Sequence, residues 1–112
     1  MTTQDKTTEP NKAAVDEIEV EAYGKRNEEP PPAKRYRIRV DREELVFEKR
    51  VVTGRAILEK AGKNPYTRWR LHQKLHGGHM VEIGYEQDVD LGAKGIERFT
   101  TFELNIGDGD AN

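Results

Sequence analysis

The sequence predicts an α+β domain in which a single helix packs on a mixed sheet of four to five strands. Three observations predict it. Residues 36–40 alternate apolar with charged side chains, and Leu45 and Phe47 repeat the two-residue spacing on the return, as the two strands of a hairpin do. Residues 51–62 (VVTGRAILEKAG) carry the start and stop signals of one short helix. Strand-like patterns then resume between residues 69 and 104.

The hairpin comes first. Tyr36, Ile38 and Val40 share one face, and Arg37 and Arg39 the other. Asp41, Arg42, Glu43 and Glu44 form a polar turn, and Leu45 and Phe47 repeat the alternation on the return. Thr53 is placed to cap the helix, because its hydroxyl can accept from a free amide of the first turn. Val52 and Ile57 have the spacing of a hydrophobic staple, and Ile57, Leu58 and Ala61 form one apolar stripe. Gly62 suits the left-handed closing position and Pro65 blocks resumption, which leaves a helix of about ten residues. A helix so short is marginal alone and needs a sheet beneath it.

Beyond the helix, Trp69 and Leu71 alternate with Arg70 and His72 in a strand that runs to Leu75. Gly77 and Gly78 make a tight turn into a short strand from Met80 to Ile83. A polar connection follows, with Val89 and Leu91 as core plugs. The last strand, residues 96–104, carries Phe99 and Phe102 on opposite faces, which argues for a central position.

Apolar residues are 34% of the chain and charged residues 36%, too little apolar surface for a core that spans everything. A core of about 70 residues is feasible but small. Residues 1–33 hold four Lys/Arg against eight Asp/Glu, and residues 34–104 hold fifteen against eleven. An acidic arm can therefore screen a basic domain. The division expected is a disordered acidic and proline-rich arm (1–33), a folded domain (34–104) and a flexible tail (105–112). Pro30, Pro31 and Pro32 are expected to stiffen the end of the arm. One stretch resists disorder. From Asp16 to Tyr23, Ile18, Val20 and Ala22 alternate with acids, which is the period of a strand that could add to a partner's open sheet edge. A solvated acidic linker is the plainer reading.

With no cysteine, thiolate zinc sites, disulfides and cysteine nucleophiles are excluded. No apolar run is long enough to span a membrane, and there is no signal-peptide stretch, so a cytoplasmic protein is expected. No phosphate-binding glycine loop or base-paired nucleophile is visible, so the chain is not expected to be an enzyme and needs no cofactor.

The element order matches the ubiquitin-like β-grasp fold, whose last strand lies centrally, parallel to the first. The segments TGRAILEKAGKNP, WRLHQKLHGGHMVEI and DVDLGAKGIERFTTFEL, in that order and spacing, resemble the bacterial multiubiquitin-type domain family. The resemblance implies a bacterial protein modifier. Its C-terminal tail would be activated by an adenylating activating-enzyme-like partner and passed to target proteins through a conjugating-enzyme-like partner. It also implies a deconjugating peptidase and a setting in antiviral defence. Eukaryotic ubiquitin ends in Gly-Gly, but here the only Gly-Gly is Gly77-Gly78, an expected internal turn. In the tail, Gly107 or Gly109 would carry the acyl group after trimming, or Asn112 without it. The alternative is a non-conjugated scaffold or adaptor that self-assembles, or binds partners by strand addition through the N-terminal arm.

The expected partner-binding residues are Leu71, Leu75, Met80 and Arg70 on the sheet, and Ile18 and Val20 on the arm. Met80 and Leu75 at the second hairpin are favoured as exposed contacts, while Trp69 is read as core. Lys34, Arg35, Arg37, Arg39, Arg68, Arg70 and Lys74 would make a basic sheet face. Nucleic-acid binding also needs exposed stacking aromatics, and alternation turns Tyr36 and Trp69 toward the core, so a docking face for an enzyme or a solvated face is preferred. His72, His76 and His79 lie close in sequence, but no carboxylate cluster completes a metal site, and none is expected.

Overall fold

The computed structural model describes residues 14–104. In chain order the elements are β1 (Val15–Glu19), α1 (Val20–Arg26), β2 (Ala33–Val40), β3 (Glu43–Phe47), β4 (Val51–Thr53), α2 (Gly54–Lys60), a 3₁₀ turn (Tyr66–Arg68), β5 (Trp69–Leu75), β6 (Met80–Ile83), β7 (Asp88–Asp90) and β8 (Ile96–Glu103). This is the α+β, β-grasp layout: a mixed sheet with its last strand central and parallel to the first strand of the hairpin.

The hairpin forms as alternation predicts. Tyr36, Ile38 and Val40 face inward, and β2 pairs antiparallel with β3 from Tyr36↔Phe47 to Val40↔Glu43. Asp41, left-handed at φ 57°, then turns its carboxylate onto β8. Oδ1 accepts from the Thr101 amide at 2.9 Å and Oδ2 from the Thr101 hydroxyl at 2.6 Å. Beside this clamp, Val40 registers with Phe99 in the parallel β2–β8 pair. On its other side, β8 pairs antiparallel with β5, and β5 with β6.

Helix α2 begins where expected. The Thr53 hydroxyl accepts from the Ala56 amide at 3.1 Å, and Gly62 closes the helix at φ 80°. The helical residues number seven rather than about ten, because Ala61 already departs from helical geometry. Ile57 and Leu58 are fully buried. Val89 and Leu91 are core residues, as predicted, with Val89 on β7, which pairs antiparallel with β4. Gly77 and Gly78 lie in the β5–β6 turn. Among the described residues, no helix is long and apolar enough to cross a membrane.

The N-terminal expectation needs correcting. Residues 15–26 are not a disordered arm but a strand and a helix built into the body, so the described residues form two α-helices and a six-stranded main sheet. β1 runs parallel to β2 from Val15↔Ala33 to Glu19↔Arg37. Since β3 holds one edge of β2, β1 takes the other edge over its first half, and β8 takes that edge only at Val40. Ile18 and Val20 enter the core. Composition misleads here because it measures what a segment can bury by itself. This segment has few apolar groups, and it is completed by a core and by cations that the rest of the chain supplies.

Candidate functional site

The outward face of β2 carries three arginines, and the acids of β1 and α1 lie against them. Parallel pairing sets Glu17 beside Arg35, and its carboxylate also reaches Arg37, so one acid is shared by two guanidiniums. Arg39 donates to Glu21 at 2.8 Å, and Lys34 stands 3.7 Å from Asp16. Glu21 is the one charged residue buried among the described residues, with its side chain 7% exposed. A buried carboxylate is tolerated when it is paired and hydrogen-bonded, and Lys25 at 3.4 Å supplies a second cation.

These contacts shift protonation. Hydrogen bonds from Arg37, and then from Arg35, hold the Glu17 carboxyl below its ordinary value of 4.5. Burial pushes Glu21 upward, but hydrogen bonds from Arg39 and Lys25 outweigh it and leave the group below 4.5 as well. Glu17 and Glu21 in turn raise Arg37 and Arg39. A carboxylate whose folded value lies below its unfolded one stabilises the fold above the unfolded value, and that contribution fades as pH falls through the folded value. Amide protection over residues 15–26 is therefore expected to hold at neutral pH and to drop below about pH 4 while that of β5 and β8 persists. Hydrogen exchange compared as protection factors measures this, and equal losses in both regions would contradict it.

Helix α1 meets the start of β8 at closest range at Gly24. A Cβ built there would lie 1.8 Å from the Ile96 carbonyl oxygen, so only glycine fits. His76 Nδ1, at the start of the β5–β6 turn, stands 3.2 Å from the Gly24 carbonyl oxygen.

The expected basic face is thus largely neutralised from within. Arg37 also reaches Glu44, Arg70 pairs with Glu82, and Lys74 lies 3.8 Å from Glu97. Tyr36 is buried, and Lys63 sits over the half-buried Trp69 ring at 4.4 Å, so neither aromatic stacks outward among the arginines.

The predicted contact residues divide. Met80 is 46% exposed and Arg70 is exposed, while Leu75 is half-buried against the core. Leu71 is corrected: it is fully buried beneath the sheet, as its alternation with Arg70 and His72 requires, and offers nothing to a partner. Ile18 and Val20 are corrected likewise, since at 4% and 2% exposure they fill the chain's own core rather than waiting for another sheet. Gly107, Gly109 and Asn112 lie outside the described residues.

One surface residue was missed. Phe102 is 49% exposed on β8 and meets His72 edge to face, with ring centroids 5.0 Å apart. The signal was present, because Phe99 and Phe102 are three apart and a strand cannot bury both on one face. Among the described residues, no group of three or more histidine or acidic side chains is placed to hold a metal ion.

A family model described as multiubiquitin matches residues 36–103. That span opens within β2 and closes at the end of β8, so β1 and α1 fall outside it. No curated protein and no solved structure matches the chain.

Proposed function

The chain belongs to the multiubiquitin family, and from that membership we propose that it is a ubiquitin-like protein modifier. The observation that carries this reading is the placement of β8. The family-matched body ends on its central strand, and the Leu104 amide donates to the Arg68 carbonyl at 2.8 Å, so residues 105–112 follow from a fixed point on the sheet.

In this reading the tail carboxylate attacks the α-phosphorus of ATP in an activating enzyme, and pyrophosphate leaves. The acyl group then passes, through a conjugating enzyme, to an amine or hydroxyl of a target protein, with AMP as the leaving group of the activated form. ATP and magnesium are bound by the activating enzyme, and the chemistry belongs to the partners. Gly107 or Gly109 carries the acyl group if a peptidase trims the tail, and Asn112 carries it if the tail is used as it stands. Met80, Phe102 and the Arg70–Glu82 pair offer the enzymes an amphipathic face. The sequence resemblance is what supports a bacterial source and an antiviral setting.

Incubation with an activating enzyme, a conjugating enzyme and ATP is expected to give a covalent adduct, read by intact mass as the sum of the two proteins less one water. A trimmed tail would appear as the loss of the residues after Gly107 or Gly109. If neither the full chain nor chains ending at Gly107 or Gly109 form an adduct, the modifier reading falls.

A further inference from the structure

Strand β3 leaves one edge of the main sheet open. It pairs with β2 and with no other strand among the described residues. A two-residue turn joins Val40 to Glu43, so that pair is hydrogen-bonded, and with it the pairs Ile38–Leu45 and Tyr36–Phe47. The amides and carbonyls of Glu44 and Val46 therefore point away from β2. Among the described residues, no backbone hydrogen bond outside the hairpin reaches them. An edge of this kind is a template for a further strand.

The edge leads into a cleft. Leu45 and Phe47 turn to the core side of β3, while Glu44 and Val46 take the other face, where Arg37 reaches Glu44. Beside Phe47, at the end of the strand, the cleft holds about 360 Å³, with Val51, Val52 and Ala56 completing its apolar lining. Val51 is 46% exposed. Lys49 lines the same cleft, and Lys60 Nζ stands over the Phe47 ring at 5.2 Å. Asp88 is the acid of the lining, so two cations face one anion there.

Edge and cleft together select an occupant. Extended backbone satisfies Glu44 and Val46, and every second side chain then falls over Leu45, Phe47 and the cleft, where an apolar group fits. Carboxylates beside that run meet Lys49 and Lys60. A second copy's β3 pairs with the edge but leaves the cleft empty, because its Phe47 is buried in its own core. We propose that β3 accepts an extended segment of a partner protein as an added strand, and that the segment is a run of branched apolar residues flanked by acids.

The probe is a fluorescein-labelled synthetic peptide of four alternating valine and isoleucine residues with two aspartates at each end. It is titrated with the full chain and followed by fluorescence anisotropy. Saturation is expected below about 1 mM, the range of a small transient contact. Hydrogen exchange in the complex is expected to slow at the Glu44 and Val46 amides and to stay unchanged in β6. A chain carrying Lys49→Glu and Lys60→Glu, both exposed positions, is expected to bind the peptide about tenfold more weakly. The same peptide with lysines for aspartates should prefer that variant. Val46→Pro removes an edge donor that β2 does not use, so it is expected to abolish binding and keep the fold.

The proposal is overturned by a peptide that does not saturate, by equal affinity for the native chain and both variants, or by protection that appears outside β3. A chain that doubles its 12.8 kDa mass without peptide, and returns to single mass with Val46→Pro, gives the edge to a second copy and overturns it too. No enzyme enters these measurements, so failure here is separate from failure of the modifier reading.

Discussion

Replacing Phe99 with alanine is expected to remove most of the stability of the body. Phe99 is fully buried on β8, in register with Val40 on one side and Gln73 on the other, so its ring lies where the two halves of the sheet join. Truncating a buried phenylalanine costs about 3–5 kcal/mol in transfer and cavity terms. A small domain has about 5–15 kcal/mol in total and sits toward the low end. For a domain of this size, each kcal/mol moves the melting temperature by about 4–8 °C. Thermal melts followed by circular dichroism should therefore show a drop of tens of degrees, or a chain that does not fold. A loss under about 1 kcal/mol would contradict the central placement of β8.

The Gly24→Ala change tests the other half of the molecule, and two effects of opposite sign compete there. In an exposed helix interior, alanine is better than glycine by about 1 kcal/mol, so propensity alone predicts stabilisation. The structure predicts the reverse. The added carbon would lie 1.8 Å from the Ile96 oxygen and 2.3 Å from the Ile96 carbonyl carbon, and both atoms belong to the backbone of the central strand. No rotamer relieves that contact, so α1 must lift away from β8. Overpacking of this kind costs about 1–3 kcal/mol or more, which exceeds the propensity gain. The lift draws Glu21 away from Arg39 and the Gly24 carbonyl away from His76. Trypsin is expected to cut at Lys25 and Arg26 many times faster in the variant, while β5 and β8 keep their amide protection. A Gly24→Ala chain that is more stable and no more readily cut would show that the close approach is wrong.

These variants fall on either side of what could be read from sequence. Residues 51–62 were legible because each signal is local: a hydroxyl three residues before an amide, a glycine after the last turn. The inward set of β2 was equally plain, since alternation needs only neighbours. Helix α1 was hidden. Its inward positions are Val20, Glu21 and Gly24, of which only one is apolar, while Ile18, Val20 and Ala22 imitate a strand running straight through it. Glu21 and Gly24 make sense only beside Arg39 and the Ile96 carbonyl, groups far along the chain. Leu71 and Phe102 failed differently. Parity already set Leu71 inside and one of the two phenylalanines outside, and reading them as a contact and as a mark of burial set that parity aside.

The bond from the Leu104 amide to the Arg68 carbonyl has a mechanical meaning. A pull on the chain beyond residue 104 enters the molecule at the end of β8, along the axis of a strand flanked by β5 over its whole length. Its ladder is then loaded in shear, with the hydrogen bonds sharing the force together rather than opening one after another. Resistance to extraction by a motor that grips the tail is set by the barrier to that concerted slip and not by equilibrium stability. The clamp of Asp41 on Thr101 lies close to the point where the load arrives.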